Sequence, residues 1–148
     1  MEYQVVEKEA FKVIGRRRTT PSGGGTWGIA REDGSIAQME KLAAGAPFLG
    51  LCFGFDDDGS NDYMVGLEYA GEDIGGLESF TYPKSTWLVF AGEGKIKKNV
   101  LGNTWSRIYG EFLPRSEYKQ ADLPTIEAYV EWNNDKNFCK IEVWIPVE

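Results

Sequence analysis

Between residues 3 and 16 charged and apolar side chains alternate, Val5, Phe11 and Val13 share one parity, and β-branched residues recur, a pattern that predicts a strand. Residues 17–34 then carry a basic triplet, a Pro-Ser pair, Gly23-Gly24-Gly25 and Trp27 without periodicity, which predicts a mobile loop able to close over a ligand. Ser35 and Gln38 have capping-box spacing ahead of Ile36, Met39 and Ala43, and Gly45 followed by Pro47 ends that short helix. Apolar runs at 48–55 and 62–69 flank an Asp-Asp-Asp-Gly-Ser-Asn turn and predict an antiparallel hairpin. The second half repeats the order. Residues 77–82 and 86–91 read as strand broken near Pro83. Leu101, Trp105, Ile108 and Phe112 form one helical stripe stopped by Pro114, and strands at 125–132 and 139–147 follow around an Asn-Asn-Asp-Lys-Asn turn.

Displacing the chain on itself by about 76 residues sets Phe11 on Trp87, Val13 on Val89, Phe53 on Tyr129, Val65 on Ile141 and Leu67 on Val143. The expectation is an α+β fold: a single domain over residues 1–148 whose pseudo-repeats, about 1–72 and 77–148, are duplicated strand-helix-strand-strand units forming an antiparallel sheet with two helices.

Composition narrows the chemistry. A chain of 148 residues suffices for one real core. With Lys+Arg 16 against Asp+Glu 23 the net charge is -7, which repels phosphate backbones and draws cations, so no direct nucleic-acid partner is expected. No run of signal-peptide or membrane-spanning length opens the sequence, and a cytoplasmic protein without a membrane partner is expected. Cys52 and Cys139 sit in apolar strand-like segments and read as reduced core thiols. The absence of histidine excludes Ser-His-Asp and Cys-His catalysis and His-ligated metal or haem. Neither a metal nor another cofactor is expected. Gly23-Gly24-Gly25 lacks the lysine and spacing of a phosphate loop, and Asp56-Asp57-Asp58-Gly59 lacks the twelve-residue calcium spacing.

Aromatics make up 14% of the chain, with five tryptophans, and composition alone does not choose between a Trp-rich core and a pocket of flat rings. Along the strand 125–132, Glu127, Tyr129 and Glu131 share a side opposite Ile126, Ala128 and Val130. At the same displacement Glu127 falls on Leu51. A carboxylate in an apolar strand needs compensation, which a bound organic cation would supply; a solvated strand end or an internal Lys or Arg is the competing explanation. Tyr129, Trp105, Tyr109, Tyr63, Trp87 and Trp144 are the rings expected near it, each ring face attracting a cation by roughly 0.5 to 2 kcal/mol as solvent is excluded. Trp105 also fits the helix core stripe. Glu68 and Glu142 read as solvated strand-face charges.

Six segments in order resemble the GyrI-like, or effector-binding, domain family, which occurs attached to AraC- and MerR-type bacterial regulators and as free-standing proteins. They are residues 5–15, Asp62-Tyr63-Met64-Val65-Gly66-Leu67-Glu68-Tyr69, residues 82–90 with Tyr82-Pro83-Lys84, Thr104-Trp105-Ser106-Arg107-Ile108-Tyr109 with Phe112-Leu113-Pro114, Ile126-Glu127-Ala128-Tyr129, and Glu142-Val143-Trp144-Ile145-Pro146-Val147. The resemblance implies the duplicated sheet fold, a central ligand cleft for hydrophobic, often cationic aromatic compounds, and the family's late-strand acid at Glu127. It implies drug sensing or sequestration linked to transcription regulation, any DNA contact coming through an unknown protein partner, since no helix-turn-helix segment is evident. The alternative it carries is hydrolysis of cyclopropane-containing toxins with Glu127 as general base and Tyr109 or Tyr63 orienting the leaving oxygen. A protein-interaction role, as in the gyrase inhibition that names the family, is the third class.

Overall fold

The alternation at the start of the chain runs as strand, but in two pieces, β1 (Gln4–Lys8) and β2 (Phe11–Thr20). They part because they pair with different partners. The structure, a computed structural model, describes residues 1–148 apart from Gly23. It forms an α+β fold of eight strands, paired antiparallel, and three α-helices. Two compact units divide it: Met1–Lys8 with Ser85–Glu148, and Glu9–Lys84.

In the unit Glu9–Lys84, β2 is followed by α1 (Gly23–Glu32), α2 (Ser35–Leu42), β3 (Phe48–Phe55), β4 (Asn61–Glu68) and β5 (Glu78–Tyr82). The sheet order is β3-β4-β2-β5. The predicted mobile loop is thus the end of β2 and a helix, Gly23 itself lying outside the described residues. Glycine is a poor helix former, but here packing overrides propensity: Ala30 is fully buried and Trp27 packs with it against Ile14, Tyr63, Val65 and Leu67. A Cβ on Gly25 would stand 2.7 Å from the Thr20 side chain, so the glycine lets helix and strand approach. The predicted capping box is also replaced. Ser35 is the first residue of α2, and its N–H donates to Asp33 Oδ1 at 2.9 Å. Arg16 donates to Asp33 Oδ2 (2.8 Å), Ser35 Oγ (3.1 Å), Glu78 Oε2 (2.6 Å) and the Gly76 carbonyl (2.8 Å), tying β2 to the start of α2 and to β5. The Asp33 carboxyl lies below its usual range, chiefly because Ser35 donates to it and further because Arg16 stands beside it.

In the other unit, β1 pairs with β6 (Ser85–Gly94), and α3 (Val100–Arg107) leads to β7 (Thr125–Asn133) and β8 (Phe138–Val147) in the order β1-β6-β8-β7. The predicted stripe holds. Ile108 is buried and Leu101, Trp105 and Phe112 pack with it on Leu88, Phe90, Ile141, Val143 and Ile145. Past Arg107 the helix widens into a π-helical turn, Ile108–Phe112, and tightens into a 3-10 turn, Leu113–Arg115. Both cysteines are free, and burial pushes the Cys139 thiol up.

β2 and β4 cross closely where Gly15 pairs with Gly66. A Cβ on Gly15 would meet the Val65 carbonyl oxygen at 1.9 Å, whereas nothing lies within 4 Å of one on Gly24. Gly15→Ala is therefore expected to lower unfolding stability by about 1 to 3 kcal/mol, and Gly24→Ala, in α1, to raise it by up to about 1 kcal/mol. Urea denaturation of the two variants beside the parent reads both signs; a loop at 17–34 would leave Gly24→Ala without effect.

Candidate functional site

The alternation of β7 decides which of its side chains meet α3. Glu127 pairs in register with Val143 and Tyr129 with Ile141, while Val143 pairs in turn with Phe90. These positions form the face that packs on the α3 stripe, so the half-buried Glu127 and Tyr129 stand on the helix-covered side of the sheet. From α3 the Trp105 indole Nε1 donates to Glu127 Oε2 at 2.6 Å, and the Tyr129 hydroxyl donates to Glu127 Oε1 at 3.1 Å. Both donors are neutral, so these two bonds leave the carboxylate's formal charge in place. Tyr109, four residues beyond Trp105, lies flat on the indole, with centroids 5.6 Å apart and planes at 7°. Tyr109 is 46% exposed, and its hydroxyl donates to Gln120 Oε1 at 3.3 Å. Tyr129 meets the exposed Trp132 edge-on at 5.7 Å. A fixed negative charge bordered by ring faces is an arrangement for holding an organic cation.

Of the rings expected around Glu127, the structure thus brings Trp105, Tyr109 and Tyr129 together with it. Trp87 and Trp144 stand on the opposite face of the same sheet, because Trp87 pairs with Pro146 and Trp144 with Val89 and Ile126, positions that alternate with the α3-facing ones. They meet each other at 5.8 Å, and Trp144 Nε1 donates to Glu142 Oε1 at 3.1 Å. Glu142, expected as a solvated charge, is half-buried and engaged by an indole; its spacing of two from Trp144 on one strand was the readable sign. Tyr63 belongs to the other unit, buried in β4, where its hydroxyl accepts from Trp27 Nε1 at 3.3 Å. Gln120 and Trp132 were not anticipated: the first lies in a connection without periodicity, the second beyond a register shift between Tyr129 and Glu131.

The internal repeat also needs a correction at this position. Gly66 pairs with Leu49, and the residue that matches it, Glu142, pairs with Ala128, so β7 is displaced from β3 three residues further than β8 from β4. The counterpart of Glu127 is therefore Phe48, not Leu51. Leu51 pairs with Met64 on the other face, and Phe48 lies on the helix face, edge-on to Trp27 at 6.2 Å. Among the described residues no three His, Cys, Asp or Glu are grouped so as to hold a metal ion, and no helix is long and apolar enough to cross a membrane.

Residues 1–148 match a family model described as the GyrI-like small molecule binding domain. Among solved structures, SAV2435 bound to tetraphenylphosphonium is similar at 23% identity and a TM-score of 0.82, over 100% of this chain and 94% of that one. A putative bacterial transcription regulation protein from Staphylococcus aureus MU50 gives 23% identity and 0.79 over 100% and 99%. EcmrR, solved in complex with DNA, gives 15% identity and 0.72 over 99% of this chain and 57% of that one. At these identities the likeness is one of fold. No curated protein matches the chain.

If the indole bond orients Glu127, Trp105→Phe keeps a ring in the stripe while removing the donor. The expected loss is about 1 to 2 kcal/mol of unfolding stability, with Tyr109→Phe costing less because its hydroxyl donates to Gln120, which is exposed. Chemical denaturation checks the ranking.

Proposed function

The chain belongs to the GyrI-like small molecule binding domain family, and on that premise we propose that it recognises hydrophobic, cationic aromatic compounds, with Glu127 as counter-charge and Trp105, Tyr109 and Tyr129 as ring surface. The observation that carries this reading is the Glu127 carboxylate on the covered face of the sheet, oriented by an indole and a phenol while its charge stays in place. A carboxylate bordered by ring faces attracts an organic cation through both its charge and the rings' quadrupoles. SAV2435, similar in fold, was solved with tetraphenylphosphonium, itself an aromatic cation. The likeness in fold to EcmrR, solved with DNA, supports a link to transcription regulation. With a net charge of -7 this chain is a poor direct ligand for nucleic acid, so DNA would be reached through a protein partner, in the cytoplasm. Binding asks for no more than a placed charge and rings. Hydrolysis would also need a water held and activated at Glu127 and a group to receive the leaving oxygen, and we do not favour it.

Tetraphenylphosphonium and the neutral triphenylphosphine oxide, titrated by tryptophan fluorescence quenching, test the role of charge. Coulomb attraction at ~4 Å and an effective dielectric near 20 is about 4 kcal/mol before desolvation is subtracted. Glu127→Gln is therefore expected to weaken the cation by about 1 to 3 kcal/mol, roughly 5- to 150-fold, and the neutral compound little. Tyr129→Phe keeps its ring face and loses less. Equal weakening of both compounds, or of neither, would remove Glu127 from the role of counter-charge.

A further inference from the structure

A groove of about 730 Å³ opens in the unit that carries α3, lined by Tyr3, Glu111, Phe112, Arg115, Glu117 and Tyr118 among others, and neither Glu127 nor Trp105 lines it. Its floor is aromatic. Tyr3 contacts Phe112 edge-on at 4.8 Å and Tyr118 at 5.9 Å, and both Tyr3 and Phe112 rest on the fully buried Phe90, at 5.8 and 5.1 Å. The two phenols meet at 3.4 Å through their hydroxyls and keep 38% and 36% of their surface exposed. Rings held this way present a rigid flat surface rather than collapsing into the core.

The charges are placed differently from those at Glu127. Glu111 reaches Arg107 at 3.7 Å, but Arg115 and Glu117, on the same groove, form no ion pair among the described residues. The groove thus offers a guanidinium, a carboxylate and ring surface at once, in a volume within the usual range for small-molecule sites. The complement of such a surface is a molecule that carries both signs and a ring. We propose that this groove is a second ligand site, for a small aromatic zwitterion of the amino-acid class: Arg115 takes the carboxylate as a two-pronged donor, Glu117 takes the ammonium, and Tyr3, Phe112 and Tyr118 take the ring.

This site does not depend on the reading of Glu127, and its test uses different probes. L-tryptophan, tryptamine (ammonium only) and N-acetyl-L-tryptophan (carboxylate only) are titrated into the full chain and followed by amide chemical shifts. Saturable binding of tryptophan is expected, with shifts centred on Tyr3, Phe112 and Tyr118 and an affinity about tenfold above either single-charge probe. Arg115→Gln is expected to weaken tryptophan and N-acetyltryptophan about tenfold and to spare tryptamine, and Glu117→Gln to weaken tryptophan and tryptamine while sparing N-acetyltryptophan. Both side chains are exposed, so both variants keep the fold. Absence of saturation, shifts centred on Trp105 and Glu127, or charge variants without effect would each overturn the proposal.

Discussion

A carboxylate placed on the covered face of a sheet must be given donors, because the water it has lost is worth several kcal/mol. Glu127 is in that position: its register partners, Val143 and, next along the strand, Ile141 beside Tyr129, belong to the apolar layer under α3. The donors come from two directions, an indole from the helix above and a phenol two residues along its own strand. Because the indole nitrogen has to reach Oε2 while Leu101 and Ile108 pack beneath, the rotation of α3 about its axis is set by one hydrogen bond and one apolar stripe together. Tyr109 then stacks on a ring that is already fixed. The cluster is thereby organised by the fold itself, which under the proposed reading would lower the entropic penalty of binding.

The other unit solves the same packing problem without charge. There Phe48 stands at the position of Glu127, Trp27 of α1 leans on it, and the Trp27 indole finds its acceptor in Tyr63 instead. An apolar residue at this position therefore packs well under a tryptophan-bearing helix. Relative to a phenyl ring, the carboxylate in the first unit is an expense in stability. A group of that kind, half-buried and bordered by exposed rings, is what the proposed role as counter-charge would account for.

Much of this was legible in the residues. Strand parity located all the long strands, and the spacing of Leu101, Trp105, Ile108 and Phe112 identified the α3 face, because burial on one side imposes periods that survive in sequence. The helix α1 was not legible, since glycines at close-packed positions such as Gly25 look like loop until Thr20 is seen beside them. Glu127, Tyr129, Trp105 and Tyr109 were legible as candidates. Trp87 and Trp144 were expected beside them from the duplicated fold, although the parity that set Leu88 and Phe90 toward α3 already placed Trp87 on the other side. The three-residue difference in register was hidden because it falls in the helical connection, where no alternation marks it.

That connection is also where the first unit acquires its exposed rings. Pro114 has no N–H to donate and crowds the carbonyl four residues before it, so an α-helix running through it would be broken. The chain instead widens into the π-helical turn Ile108–Phe112 and passes Pro114 within the 3-10 turn Leu113–Arg115. Had the helix stopped at Arg107, Trp105 would lack Tyr109 on its face and Phe90 would lack Phe112 against its ring. The longer connection carries the helix one irregular turn past the point where the strand-helix-strand-strand plan requires it to end. Its extra turn sets Tyr109 toward the Glu127 cluster and Phe112, Glu111 and Arg115 toward the aromatic groove, so that both surfaces of this unit follow from one departure from regular helix.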